Sequence, residues 1–186
     1  MVNKGSDPEC TITSSIKKYF KLTKGIFLRI LEKTDPLIAN SEVTMKDDFI
    51  AYARIVIKAP VKDVWDALVN PEKIKQYMFG TEVVTDWKEN DQILWKGIWE
   101  GKSYEDKGFI LKIIPEKYLQ YSHFSPLSGK PDVIGNYHTL TFELSVNAQG
   151  TEINLAQDNN HSQEEKIHSE QMYNMMLGGI KTLVEK

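Results

Sequence analysis

The sequence is short of several features that would point directly to a function. It has one cysteine, Cys10, in 186 residues, so no disulfide can form within the chain and no cysteine cluster can hold zinc. Of its 23 lysines and arginines, only Arg29 and Arg54 are arginines, and the net charge is −3. A nucleic-acid reader needs a concentrated basic face and arginine forks for bidentate contacts, so that class is excluded. No apolar run nears the roughly 20 residues that cross a bilayer. Met1 to Cys10 is polar and lacks the apolar stretch of a secretion signal, which makes the cytoplasm the expected location. No glycine-rich loop has phosphate-binding spacing, and there is no nucleophile elbow. Nothing calls for a cofactor.

What is present is an ordinary globular composition, 41% apolar and 26% charged, enough for one sizeable core. The first 44 residues differ from the rest. Ser14 to Lys33 has Ile16, Tyr19, Phe20, Phe27, Ile30 and Leu31 near a 3.6-residue period, ended by Asp35-Pro36, and predicts an amphipathic helix. It carries six basic residues against the single acid Glu32. Such a helix either packs its stripe on the main domain or a second subunit, or lies on an anionic membrane through residues 16–33. Residues 1–44 are therefore read as an extension and 45–186 as the domain.

From Phe49 the texture changes. Phe49 to Ile57 reads as a strand, closed by Ala59-Pro60. Val61, Val64, Trp65 and Leu68 give a short helix, and Asn70-Pro71 starts a second with Ile74, Tyr77 and Met78 on one side. Strands follow at Glu82–Asp86, Gln92–Trp99, Tyr104–Ile114, Tyr118–Phe124, His138–Asn147 and Thr151–Asp158, separated by short turns that dictate antiparallel pairing. Ser125 to Asn136, with two prolines and two glycines, is a long loop. Glu164 to Glu185 closes the chain as a helix with Met172, Met176, Ile180 and Leu183 on one face. Gly178-Gly179 inside it costs on the order of 1 kcal/mol per glycine and points to close packing or a bend. The expected class is α+β: a curved antiparallel sheet wrapped around one long helix, the two burying their apolar faces together.

Five segments carry a family resemblance. They are Ile57-Lys58-Ala59-Pro60-Val61 through Val64-Trp65 and Ala67-Leu68; Asn70-Pro71-Glu72 with Ile74; Gly108 to Leu119 around Pro115-Glu116; Gly150-Thr151 with Ile153 and Leu155; and Leu177, Ile180-Lys181, Leu183 and Glu185. In this order they resemble the START-like, or SRPBCC, superfamily, and within it the domains named after the activator of the heat-shock-protein ATPase (AHSA-like). The resemblance implies the helix-grip fold of START and pollen-allergen domains, with two short helices after the first strand. It implies three functional classes. In order of expectation these are binding of an apolar small molecule such as a lipid or aromatic metabolite, co-chaperone-like action on a heat-shock ATPase in stress response, and cyclase- or hydrolase-like chemistry. Where the family often has tryptophan this chain has Tyr77 and Tyr173, and His123 stands where an aromatic is common. Residues before Met45 have no counterpart in the family. The domain is expected as a monomer or homodimer.

Few side chains are arranged for chemistry. His161, Glu164 and His168 would share a helix face only if the last helix began early, and the Asp158–Ser162 stretch reads as a loop and cap instead. They are read as solvated polar residues, and no metal site is expected. His123 shares parity with Leu119 and Tyr121, the expected inner side of its strand, where it serves as a packed histidine, a polar anchor for a ligand or a base. Glu143 is the other candidate ionisable group, and no nucleophile accompanies either, so no catalytic residue is assigned. The positive signal is aromatic and methionine-rich. Trp95 and Trp99 share one strand face through Ile93, and with Tyr121, His123, Phe142, Met172, Met175 and Met176 they are the expected ligand-binding set. Methionines adapt to varied shapes. Periodicity alone does not distinguish a lined cavity from a filled core.

Overall fold

Alternation of side chains along the strands decides which face of the sheet is buried, and the turns decide which strands pair. The computed structural model describes residues 49–185. The basic helix expected at 14–33 and the domain boundary at 44–45 lie outside the described residues. Among the described residues seven strands occur: β1 (Phe49–Ile57), β2 (Glu82–Val84), β3 (Gln92–Trp99), β4 (Lys102–Ile114), β5 (Tyr118–His123), β6 (His138–Asn147) and β7 (Gly150–Asn160). They form one antiparallel sheet in the order β1-β7-β6-β5-β4-β3-β2. Strands β2 to β7 meander, with β5 and β6 joined by the long loop through Ser125–Asn136, and β1 joins the far edge by pairing with β7, Ile57 opposite Thr151.

Two features shape the sheet. Glu100 and Gly101 both take positive φ, 49° and 78°, the two-residue turn that matches the twist of a β3–β4 hairpin. At Gly108 an added Cβ would stand 1.6 Å from the Ser122 carbonyl oxygen. Only glycine allows β4 to come this close to β5, next to the register shift between Ile110 and Lys112.

Helices α1 (Val61–Val69) and α2 (Pro71–Tyr77) carry the chain from β1 at one edge to β2 at the other. Asn70 ends α1 and caps α2, its side chain accepting from Glu72 N–H, with Pro71 in the first turn. The long helix α3 spans Gln163–Val184. Its cap is Ser162, whose hydroxyl accepts from Glu165 N–H at 3.1 Å, while the Glu165 carboxylate accepts from His161 N–H at 2.6 Å. This variant of the capping box leaves His161 ahead of the helix, so it does not share a helix face with Glu164 and His168. Among the described residues no helix is long and apolar enough to cross a membrane.

Ile57, Val64, Ile93, Ile110, Ile153, Leu177 and Ile180 are fully buried and belong to one core between the sheet and the helices. Under the first turns of α3 the filling is polar: Asn160 donates to the Phe49 carbonyl at 2.7 Å and accepts from Gln157 at 2.8 Å and Ser169 at 3.1 Å. That network satisfies groups that would otherwise be buried unpaired.

Candidate functional site

Helix α3 does not lie evenly on the sheet. At Gly179 an added Cβ would be 2.9 Å from Tyr77 Cβ, so the glycine is where α3 and the end of α2 touch most closely. Leu177 and Ile180 beside it are fully buried, whereas Met172 and Met176, nearer the helix start, are half-buried and Met175 is 50% exposed. Between this part of α3 and the sheet lies a cavity of about 450 Å³.

Among the described residues four pieces of chain wall it. The tip of the β3–β4 hairpin gives Ile98, Trp99, Tyr104 and Asp106; the end of α2 and the turn after it give Tyr77, Met78, Phe79 and Thr81. Ser125 and Leu127 come from the long loop, and His168, Met172, Tyr173, Met175 and Met176 from α3. Gly97 makes room on the hairpin: the Tyr104 hydroxyl would be 2.7 Å from a Cβ there, so the ring lies on bare backbone. The loop is held by ion pairs of Asp132 with Lys107 and of Lys130 with Glu165, and by Tyr137, whose ring stacks on Phe124 and whose hydroxyl donates to Asp132.

The expected ligand-binding residues divide into three groups. Trp99, Met172, Met175 and Met176 come together in the cavity wall. Trp95, Tyr121 and Phe142 lie deeper, in the core. Their rings form a chain, Trp95 to Tyr121 at 5.1 Å and Tyr121 to Phe142 at 5.8 Å. They surround only a void of about 20 Å³, which shares Tyr77, Met78 and Met176 with the larger cavity. His123 lines neither space. Its ring packs against Trp95 at 5.1 Å, and its Nε2 donates to Asp106 Oδ2 at 3.1 Å. Glu143 is exposed on β6.

The residue that sequence reasoning passed over is Asp106. It faces Trp95 across the β3–β4 ladder and shares strand parity with Ile110, which is fully buried. A carboxylate at an inward position of a strand was the available signal. Its Oδ1 is buried without a hydrogen-bond partner; among the described residues only Trp87 Nε1 is in the same condition. Burial pushes the hydroxyls of Tyr77, Tyr121 and Tyr173 far above the ordinary tyrosine range, and the nearness of Tyr121 adds to the rise at Tyr77 and Tyr173. All three stay protonated and cannot act as phenolate bases. Among the described residues no three His, Cys, Asp or Glu side chains converge as metal ligands would. Asp106 of the cavity wall and His123 behind it form an acid–base pair, and among the described residues it has no hydroxyl or thiol nucleophile in hydrogen-bond contact.

A curved antiparallel sheet closed on a long C-terminal helix, with two short helices after the first strand and a cavity under the last helix, is the helix-grip class. The chain belongs to the family described as activator of Hsp90 ATPase homolog 1-like protein, which matches residues 58–185. The solution structure of ChR145 from Cytophaga hutchinsonii is similar at 57% identity and a TM-score of 0.66, over 73% of this chain and 93% of that one. Protein NE0264 from Nitrosomonas europaea has the same fold at 19% identity and a TM-score of 0.60, covering 73% and 94%. So does the Aha1 dimer from Colwellia psychrerythraea, at 18% identity and a TM-score of 0.58, covering 73% and 96%. No curated protein matches the sequence.

Proposed function

We propose that this protein is a non-catalytic binding domain for a small apolar molecule, held between the β3–β4 hairpin and α3. The observation that carries this reading is the cavity of about 450 Å³ with a wall of aromatic and methionine side chains. Its size lies within the range of small-molecule sites, and its mostly apolar wall with a few polar groups is their usual make-up. Met172, Met175 and Met176 form the helix side, where unbranched, polarisable side chains adjust to a guest. The lone cysteine agrees with work in a reducing compartment, the cytoplasm. The test is titration with N-phenyl-1-naphthylamine, a neutral aromatic probe whose fluorescence rises out of water. Saturable binding at micromolar concentration, with a raised melting temperature, is the expected result. Absence of both would reject the reading.

A second reading is co-chaperone-like action on a heat-shock ATPase. It rests on the family to which the chain belongs and on apolar side chains at the cavity rim that face solvent, Phe79 at 72% and Ile98 at 74% exposure. Contiguous exposed apolar residues mark contact surfaces. An ATPase assay in which the protein neither binds nor stimulates the heat-shock enzyme would eliminate it.

A further inference from the structure

Beneath the outer cavity, the void of about 20 Å³ has room for one oxygen-sized group. Its wall is mostly apolar, and the polar side-chain atoms in it are few. Tyr77 gives its hydroxyl proton to the Ala67 carbonyl at 3.1 Å. Trp87 Nε1 has no partner and is sealed from approach, as Asp106 Oδ1 is in the outer wall. The Tyr121 hydroxyl and Trp95 Nε1 also have no hydrogen-bond partner among the described residues, but neither is sealed in this way. Tyr121 is packed between the rings of Trp95 and Phe142 and is still only half-buried, as a side chain that faces an internal space must be. Burial keeps its proton on the oxygen. Two open donors thus stand where the protein supplies no acceptor except tyrosine oxygens.

Tyr77, Met78 and Met176 line both the void and the outer cavity. The two methionines are half-buried, and their unbranched side chains can swing aside, so the end of a guest in the outer cavity can reach the void between them. The polar groups of the outer wall make no comparable demand. The Thr81, Tyr104 and Tyr173 protons are used inside the protein, and Ser125 and the exposed His168 stand where water reaches them.

We infer that the guest is an apolar molecule carrying an acceptor oxygen, a ketone in the simplest case, which passes between Met78 and Met176 and accepts from the Tyr121 hydroxyl. This rests on the reading of the cavity as a ligand site. A donor buried without an acceptor is costly, and the oxygen of the guest removes that cost. Tyr121 therefore selects oxygen-bearing guests over hydrocarbons of the same shape.

The test uses 4-phenylbutan-2-one and (3-methylbut-3-enyl)benzene, in which a CH2 group replaces the carbonyl oxygen, titrated by calorimetry into the full chain and into Tyr121→Phe. The substitution removes one oxygen and leaves the ring. It is expected to weaken the ketone about tenfold and to leave the alkene within about twofold. An unchanged ketone affinity, or equal losses for ketone and alkene, would overturn the assignment to Tyr121 while leaving the cavity a ligand site. So would binding of N-phenyl-1-naphthylamine without binding of the ketone. If none of the three compounds binds, both the inference and the ligand-binding reading fall. Should Tyr121→Phe not fold, the infrared carbonyl stretch of the ketone bound to the wild type decides. It is expected below its frequency in hexane, and a frequency equal to that in hexane overturns the inference.

Discussion

Helix α3 lies over two different interiors. Near Leu177 and Ile180 it seals a filled core; near Met172 and Met176 it stands off the sheet and roofs a cavity. The sequence sets the difference residue by residue. Branched aliphatics and a glycine occupy the half that must touch, and methionines occupy the half that must not fill. A single helix thus seals a core along one half and roofs a cavity along the other.

Alanine substitution tests this contrast most strongly. Leu177→Ala or Ile180→Ala is expected to cost about 2–5 kcal/mol, because a fully buried aliphatic leaves a hole in a packed region. Met172→Ala, on the cavity side, is expected to cost less than about 1 kcal/mol. Urea denaturation measures both, and equal losses would mean that the cavity half is packed as tightly as the core half.

On the cavity side, Trp99→Ala is expected to weaken binding of N-phenyl-1-naphthylamine about tenfold while stability changes by under about 1 kcal/mol. Trp99 is half-exposed and lines the cavity. An unaltered affinity would move the guest elsewhere.

The two adjacent glycines give a finer test. At Gly178 nothing lies within 4 Å of an added Cβ, so Gly178→Ala is expected to stabilise by up to about 1 kcal/mol through helix propensity. Gly179→Ala gains the same propensity but pushes on Tyr77, and overpacking costs roughly 1–3 kcal/mol. A net loss of about 1 kcal/mol is expected. Thermal unfolding of the pair should show opposite signs, and like signs would show that α3 is free to lift off α2.

The smallest effect belongs to the polar part of the filled side. Burial holds the His138 imidazole below its ordinary 6.5, against a bond from Nδ1 to the Asp158 carbonyl at 3.1 Å that works the other way. The unfolded chain takes up a proton that the folded one refuses. Stability is therefore level above about pH 6.5 and falls as the pH drops from there toward the folded value, by at most about 1.4 kcal/mol per pH unit. His138→Gln should flatten the slope between pH 6.5 and 5.5 in urea titrations, and an unchanged slope would assign it to another group.

Much of the fold could be read in the sequence because its signals are local. β1, β3 and β6 have the bounds that alternation and turns indicate, and Gly179 shows the close packing that a costly helical glycine implied. Other ends moved by a few residues. β4 starts at Lys102 because the Glu100-Gly101 turn pairs the strands at once, and β7 runs on to Asn160, whose side chain bonds Phe49. The site was less legible. Strand parity tells which side chains face inward but not whether the helix above is close or raised, so Trp95, Tyr121 and Phe142 could not be separated from Trp99. Asp106 escaped because a carboxylate on a strand is ordinarily a solvated one, and its burial depends on His123, which comes from another strand.

The pairing of β1 with β7 has a consequence in time. A ribosome adding about 5–20 residues each second releases β1 roughly a hundred residues before β7, its only partner among the described strands. For several seconds the growing chain holds an unpaired strand, Phe49 to Ile57, rich in aromatic and branched side chains. The sheet closes only when Gly150 to Asn160 arrives, so the last stretch made completes the first. Binding by a chaperone in that interval, or an aggregate seeded by it, would arise from the order of the strands rather than from any weakness in the finished domain.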